Sequence, residues 1–511
     1  MVRKKHANYF LICAYTLCVA LEGWTSNAIN AVLIDIAGNI GASSDETSWI
    51  ITVYSAAAAV TVVCSHAICR VTGERLYILL CALLFSVASA GCAMSESLAF
   101  LLAFRILQGL AAGAFMSRTL VLLVTHFDAA IRFRPLRYYL LILFIIGRLL
   151  APVGAGLMTD WFSWRSFFWM DALGALIAAW FFTIAPLHEK LVPPPSRRRM
   201  EFDWLGAGLL IVGVAGVQIV LSRGEVDNWL GSPLIRMALI TGLAAHVGFL
   251  FWQFSPANRR PLVHLRHLFT RGLFSVAWLG VLLGTLFAAV VYAVPFYLRL
   301  SEVHSATQCG TMLSIIGIPM VLLAILAPYY GKFVGMVGGR AALAIGLLME
   351  LVSALLMIYF LTSDTPDIYF IIPLALSGAF IAVTAVGLAL AGFASVPVKR
   401  ISNARTLYFG ARQLGNSLGI SLGIVLLDRR EVYHSERIFE SYFTRNLGSE
   451  RMVVNFQSAL HTRSFGAAVA HQSVLLSYQD FYVAVAVLCV VTMLCTLLLP
   501  GHKRPQRTEE S

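Results

Sequence analysis

LYILLCALLFSVASAGCAM fills residues 76–94, SES follows at 95–97, and LAFLLAFRILQGLAAGAFMSRTLVLLV fills residues 98–124. The first run carries no charge, and the second carries only Arg105 and Arg118. The hydrocarbon core of a bilayer is about 30 Å thick and takes roughly 20 residues of helix. Both runs are long enough. Lipid offers no water to backbone N–H and C=O groups, so each run must satisfy them internally, as a helix. The period-two alternation of a membrane barrel strand is absent. The stretch therefore reads as two antiparallel membrane-spanning helices.

The same reading repeats along the chain. Spans are expected at Tyr9–Ile34, Trp49–Ile68, Leu76–Met94, Leu98–Val124, Tyr138–Met158, Phe167–Pro186 and Trp204–Leu221. They continue at Leu234–Phe254, Leu273–Leu298, Thr311–Tyr330, Ala341–Leu361, Ile368–Ala391, Leu407–Leu427 and Phe481–Leu499. Composition agrees: of 511 residues, 59% are hydrophobic and 13% charged, where a soluble domain carries roughly 25% charged residues. That excludes a soluble enzyme, a disordered chain and a disulfide scaffold. The nine cysteines form no CxxC pair and sit mostly in apolar runs, as packing residues.

The net charge of +12 follows the loops rather than one stripe, so nucleic acid is not the expected partner. Most Lys and Arg fall on the side shared with the N-terminus, which predicts cytoplasmic ends for this multi-pass, inner-membrane chain. Two connections differ from the short ones. Leu187–Asp203 holds Pro193-Pro194-Pro195 and Arg197-Arg198-Arg199 and reads as a stiff cytoplasmic linker. Arg429–Tyr478 reads as a long outer loop, with helical periodicity from Met452 to Val474.

The turn segments 66–75 and 331–340 resemble each other: each joins two spans with a glycine and basic residues. Such a repeat suggests two similar halves, common among secondary transporters. The expected division is a six-helix half over residues 1–186, the linker 187–203, two inserted spans over 204–254, and a second six-helix half over 255–511. The outer loop 429–478 belongs to that second half.

Charged groups at lipid depth are the candidate functional residues. Glu22, Ser26 and Asn30 share one face of the first span. A carboxylate there must be paired, protonated or wet, so Glu22 is read as a proton or cation site, or else a polar residue at a solvated vestibule. Arg105 lies seven residues into span four and cannot reach water easily. Arg118 and Arg148 either suit an anionic ligand or pair with Glu22 or Asp171. Asp171 reads as a proton site or a local cap, and Glu350 as a second protonatable site or a helix pair. Arg412 opens a glycine face with Gly415, Gly419 and Gly423, where spacing of four allows close helix packing; its guanidinium either serves that packing or lines a cavity. Pro152 and Gly156 soften span five. No metal-ligand spacing, phosphate loop or G-x-S-x-G elbow is visible. No cofactor is therefore expected, and an ion gradient is the expected energy source.

Several motifs carry a family resemblance. They are Arg105-Ile106-Leu107-Gln108-Gly109, Gly147-Arg148-Leu149-Leu150-Ala151-Pro152-Val153-Gly154-Ala155-Gly156, Trp164-Arg165 with Phe168, and Arg412-Gln413-Leu414-Gly415 with Gly419. In order and spacing the chain resembles the major facilitator superfamily, and within it the fourteen-helix drug:proton antiporters of EmrB type. The resemblance implies an all-α integral membrane protein with the major facilitator fold and fourteen transmembrane helices. It implies a proton-transfer role for Arg105 and an antiporter motif around Pro152 and Gly156. It also makes Arg70 and Gly73 part of the conformational loop motif. The chain departs from the family pattern at His66 and Arg70, at Thr25 where an aspartate is usual, at Arg148 where proline is frequent, and at Asp171 where asparagine is frequent.

The function so implied is proton-coupled export of small amphipathic compounds (drugs, fatty acids or anionic metabolites such as siderophores) by alternating access. The expected partners are the small-molecule substrate, protons, the lipid bilayer, a periplasmic adaptor and an outer-membrane channel. An importer or metabolite carrier on the same fold is the alternative; a membrane-embedded enzyme or sensor is a third reading, without a catalytic constellation to support it.

Overall fold

The computed structural model describes residues 2–126, 133–184, 202–258, 261–262, 271–301, 304–362, 365–391, 401–446 and 459–497. Every regular element among them is a helix. In chain order they are α1 (Val2–Ile40), α2 (Ser44–Thr72), α3 (Glu74–Ala93), α4 (Leu98–His126), α5 (133–161), α6 (Arg165–Ile184), α7 (Trp204–Arg223) and α8 (Pro233–Phe254). Then follow α9 (Arg271–Phe296), α10 (306–337), α11 (Gly339–Phe360), α12 (Ile371–Ala391), α13 (Ile401–Asn446) and α14 (Ala459–Thr496).

Thirteen helices among the described residues are long and apolar enough to cross a membrane. The remaining expected span, Leu407–Leu427, lies within α13, where Arg412, Gln413 and Asn416 dilute the apolar run. The linker with its proline and arginine triplets falls outside the described residues, apart from Phe202 and Asp203. The expected outer loop is largely helical: α13 runs on to Asn446 and α14 starts at Ala459.

The flanks of the bundle are apolar and several charged side chains are buried within it, the reverse of a water-soluble protein. Leu76, Leu80, Leu83 and Val87 form an exposed stripe along α3, and Met237, Ile240, Leu243, Val247 and Phe251 do so along α8. Arg105 and Asp171 are 0% exposed and Glu350 is 1% exposed. An exterior of that kind needs hydrocarbon around it, and the chain is a multi-pass membrane protein.

Packing follows a repeated pattern. In the first part of the chain α2 packs on α4, α3 on α4 and α6, and α1 on α5 and α6. Later, α11 packs on α12 and α14, and α9 on α13. The two groups meet where α5 lies on α10 and α2 on α13. The α7–α8 pair packs together and sits against α2 and α13. The matching turns 66–75 and 331–340 also share a backbone device: Gly73 has φ +83° and Gly338 φ +91°. Side-chain-bearing residues rarely adopt that region, so glycine is what allows α2 to reverse into α3, and α10 into α11.

Two helices are interrupted. α5 contains a π turn at Ile145–Leu150. α10 is built from Ala306–Ile315, Gly317–Ile325 and Ala327–Val337. Pro328 opens the last piece, where its missing N–H and ring break the hydrogen-bond ladder.

Candidate functional site

On α1, Ser26 Oγ donates to Glu22 Oε1 at 3.1 Å and lies 3.3 Å from the Tyr54 hydroxyl of α2. The i, i+4 spacing of Glu22 and Ser26 allows this, as the sequence implies. Asn30, the third member of the expected stripe, is buried, and its amide donates to the Ser26 and Asn27 carbonyls at 3.2 and 3.4 Å. It serves the helix backbone rather than the carboxylate.

Tyr54 also carries the link to Arg105, whose guanidinium carbon lies 4.3 Å from the ring centroid and 6.0 Å from that of Phe168. A desolvated cation–π contact of this kind is worth about 2 kcal/mol. Arg105 Nε donates to the Ile50 carbonyl at 3.0 Å, and Nη1 donates to Gln108 Oε1 at 2.7 Å. Gln108 Nε2 in turn donates to Ser89 Oγ at 2.8 Å. The spacing i, i+3 puts Arg105 and Gln108 on one face of α4. Arg105 thus joins α2, α3 and α4 without a bonded carboxylate.

Asp171 on α6 supplies a nearby buried carboxyl group. Thr25 Oγ1 donates to Asp171 Oδ2 at 2.5 Å, and Asp171 acts electrostatically on Arg105. Asp171 Oδ1 and Arg105 Nη2 are both buried without a protein partner. A buried polar atom left unpaired costs about 1–3 kcal/mol. This one network holds two such atoms.

A second group forms where the Arg148 side chain of α5 reaches the Phe287 ring of α9, beside Arg412 of α13. The Arg148 guanidinium carbon sits 4.4 Å from the centroid of the Phe287 ring, and that of Arg412 sits 5.6 Å from the same centroid. Both arginines act electrostatically on Glu22. The local backbone explains the placement. Arg148 lies in the π turn of α5, a device that re-aims a side chain. Its neighbour Gly147 faces Gly23; a Cβ on Gly147 would come within 2.9 Å of Gly23 Cα. That close approach seats Arg148 beside the Glu22 turn. On α13, Gly415 and Gly419 press on the backbone of α9 at Val281 and Thr285, which brings Arg412 to the Phe287 level.

Other expected residues lie apart. Arg118 is buried and forms a bidentate pair with Glu74, its Nε donating to Oε1 at 2.9 Å and its Nη2 to Oε2. Glu74, rather than Glu22 or Asp171, is its partner. Arg70 is exposed, one turn before Gly73. Glu350 is buried on α11 with Oε2 unpaired, near Ser377 and Tyr482 and away from the α1–α6 network. Pro152 and Gly156 sit in the α5–α10 contact, against Gly310 and Ala306.

That contact belongs to one end of the bundle, where α1 and α5 finish and α10 begins. There Arg299 Nη2 pairs with Asp35 Oδ1 at 2.5 Å, and the Thr307 backbone N–H donates to Asp160 Oδ2 at 2.9 Å. Both tie the first helix group to the later one. Tyr54, Phe287, Glu74, Asp35, Asp160 and Arg299 do not stand out in the sequence, and Gln108 enters only within the motif Arg105–Gly109. Gln108 and Glu74 carried a local signal, the first as the i+3 neighbour of Arg105 and the second at the first turn of a span. Tyr54 and Phe287 look like ordinary core aromatics in sequence.

The Major Facilitator Superfamily model matches residues 15–424. Among curated proteins the chain is 26% identical over 461 residues to the probable multidrug resistance protein EmrY of Escherichia coli K12, covering 89% of this chain and 86% of EmrY. It is also 26% identical over 448 residues to the multidrug export protein EmrB of the same strain, covering 86% and 84%. Among solved structures, the peptide transporter POT in complex with sulfate superimposes with TM-score 0.63 at 13% identity over 96% of both chains, a likeness of fold. With its helical bundle and the family match over most of its length, the chain belongs to the Major Facilitator Superfamily.

Proposed function

We propose that this protein exports small amphipathic compounds in exchange for protons. The observation that carries the reading is the continuous network Glu22–Ser26–Tyr54–Arg105, with Asp171 and Thr25 beside it, set next to Arg148, Phe287 and Arg412 at the meeting of the two helix groups. In this reading Glu22 and Asp171 carry the protons, and the polar, aromatic surface beside them, shared by both groups, takes the substrate. Residues 1–186 and 255–511 act as the two rocking halves, joined by the linker 187–203, with the pair 204–254 inserted between them. Both termini face the cytoplasm, so the end sealed by Asp35–Arg299 and Thr307–Asp160 is the outer one. The state described is then closed outward.

Alternating access requires that proton and substrate favour different arrangements of the halves. A membrane potential contributes about 2.3 kcal/mol per charge per 100 mV. An assay in proteoliposomes with an imposed pH gradient tests the reading. Substrate movement should follow the gradient, and Glu22→Gln should abolish gradient-driven movement while leaving substrate exchange at equal pH. Full gradient-driven transport by Glu22→Gln removes Glu22 from coupling, and absence of any coupled proton flux in the unmodified chain rejects the antiporter reading.

The helical extension of α13 from Asp428 to Asn446 projects past the expected span and offers a rigid surface for a periplasmic adaptor leading to an outer-membrane channel. Arg437 and Glu440 are exposed on it. A photocrosslinker at Arg437 should capture a co-expressed adaptor; crosslinks no more frequent than at the lipid-facing Leu80 would reject that surface.

A further inference from the structure

The geometry points to a binding site for a carboxylate attached to an aromatic or apolar body, formed by Arg148 of α5, Phe287 of α9 and Arg412 of α13. The inference rests on the transporter reading and gives it a substrate class. Both guanidiniums lie on one ring, at 4.4 and 5.6 Å. Their carbons are therefore no more than about 10 Å apart, close enough for unscreened repulsion.

Several other arginines are paired with acids, namely Arg118 with Glu74, Arg299 with Asp35, Arg223 with Asp227 and Arg430 with Asp480, while Arg105 is held by the Ile50 carbonyl and Gln108. Among the described residues, Arg148 and Arg412 have no such pair. Glu22 acts on both from a distance but takes its hydrogen bond from Ser26. Two cations and one carboxylate leave the site a positive charge in excess. A ligand carboxylate supplies the missing charge, and the planar guanidinium binds it through two parallel hydrogen bonds. The Phe287 ring offers a face or edge to the ligand's body.

The position adds a second argument. Arg148 stands on a helix of the first group, whereas Phe287 and Arg412 stand on helices of the later one. A ligand held by both arginines has an affinity that changes as the groups move, which a carrier needs. The surrounding charges fix a sign as well. Ionised Glu22 competes with a bound carboxylate for the same guanidiniums, so neutralising it should strengthen an anion and weaken a cation.

The test is calorimetric binding to the full chain in lipid nanodiscs, using 1-naphthoate, its neutral amide and 1-naphthylmethylammonium. Naphthoate should bind at least tenfold tighter than the amide, and the ammonium weakest. Arg148→Gln and Arg412→Gln should each weaken naphthoate tenfold or more, with Lys at either position restoring part of the loss; Glu22→Gln should tighten it. Equal binding of the three compounds, preference for the ammonium, or naphthoate affinity indifferent to both arginine variants would overturn the site. The three-ligand series on the unmodified chain decides even if a variant fails to fold. Naphthoate that binds but is not moved by a pH gradient would overturn the transporter reading and leave the site. Gradient-driven movement of other amphipathic compounds without naphthoate preference would do the opposite.

Discussion

Neutralising Asp35 should open the sealed end of the bundle. The Asp35–Arg299 pair has its charged atoms 2.5 Å apart, with side chains 27% and 12% exposed. Even at 4 Å, two unit charges attract by about 4 kcal/mol at an effective dielectric of 20. Desolvation and side-chain ordering offset much of that, which leaves about 1.5–3 kcal/mol as the net contribution to the closed state. At about 1.4 kcal/mol per factor of ten, Asp35→Asn should shift the closed-to-open ratio by roughly 10- to 100-fold. The Thr307–Asp160 bond and the α5–α10 contact remain in this variant, so the end loosens without coming apart. Spin labels at the exposed residues Phe162 and Ile368, on a cysteine-free background, report the separation across that end. The variant should populate a longer distance that the parent hardly shows, and the charge swap Asp35→Arg with Arg299→Asp should restore the short one. An unchanged distance distribution in Asp35→Asn, or a swap that behaves like the single variants, refutes the latch.

Two further outcomes concern stability. Removing one partner of the buried Arg118–Glu74 pair strands the other charge, so Arg118→Met should cost about 3–5 kcal/mol; adding Glu74→Leu should recover part of the loss in a detergent melt. A double variant no more stable than the single one would show that the pair is not what holds α3 to α4. Asp203 caps α7 and accepts from Gly206 N–H, Trp252, Gln253 and Asn258 at 2.7–2.9 Å. Burial raises its carboxyl, but these four donors outweigh burial and hold it below the usual carboxylate range. Its contribution to stability is therefore present above the ordinary carboxylate pKa of about 3.9 and is lost as pH falls through the lower native value. The melting temperature of the α7–α8 region should drop on the acid side of that window, and Asp203→Asn should be less stable at neutral pH with that acid step removed. An identical acid profile in the variant would assign the step to another group.

Hydropathy was legible residue by residue because a spanning helix must hide its own backbone, whatever lies beside it. Span positions, the turn glycines Gly73 and Gly338, and the depth of Glu22, Arg105 and Asp171 could all be read that way. The glycine spacing on α13 announced close packing, though not the helix it would meet. Which charge faces which was a different matter. Arg118 and Arg148 look alike in sequence, each an arginine at lipid depth, yet one is neutralised by Glu74 while the other shares a phenyl ring with Arg412. Helix length and polarity follow from local solvation and so belong to the chain as written. Partnership depends on which helix faces another, on rotations set by contacts such as Gly147 on Gly23, and on a π turn that alters the aim of one side chain. Those distances arise only when all the helices pack at once.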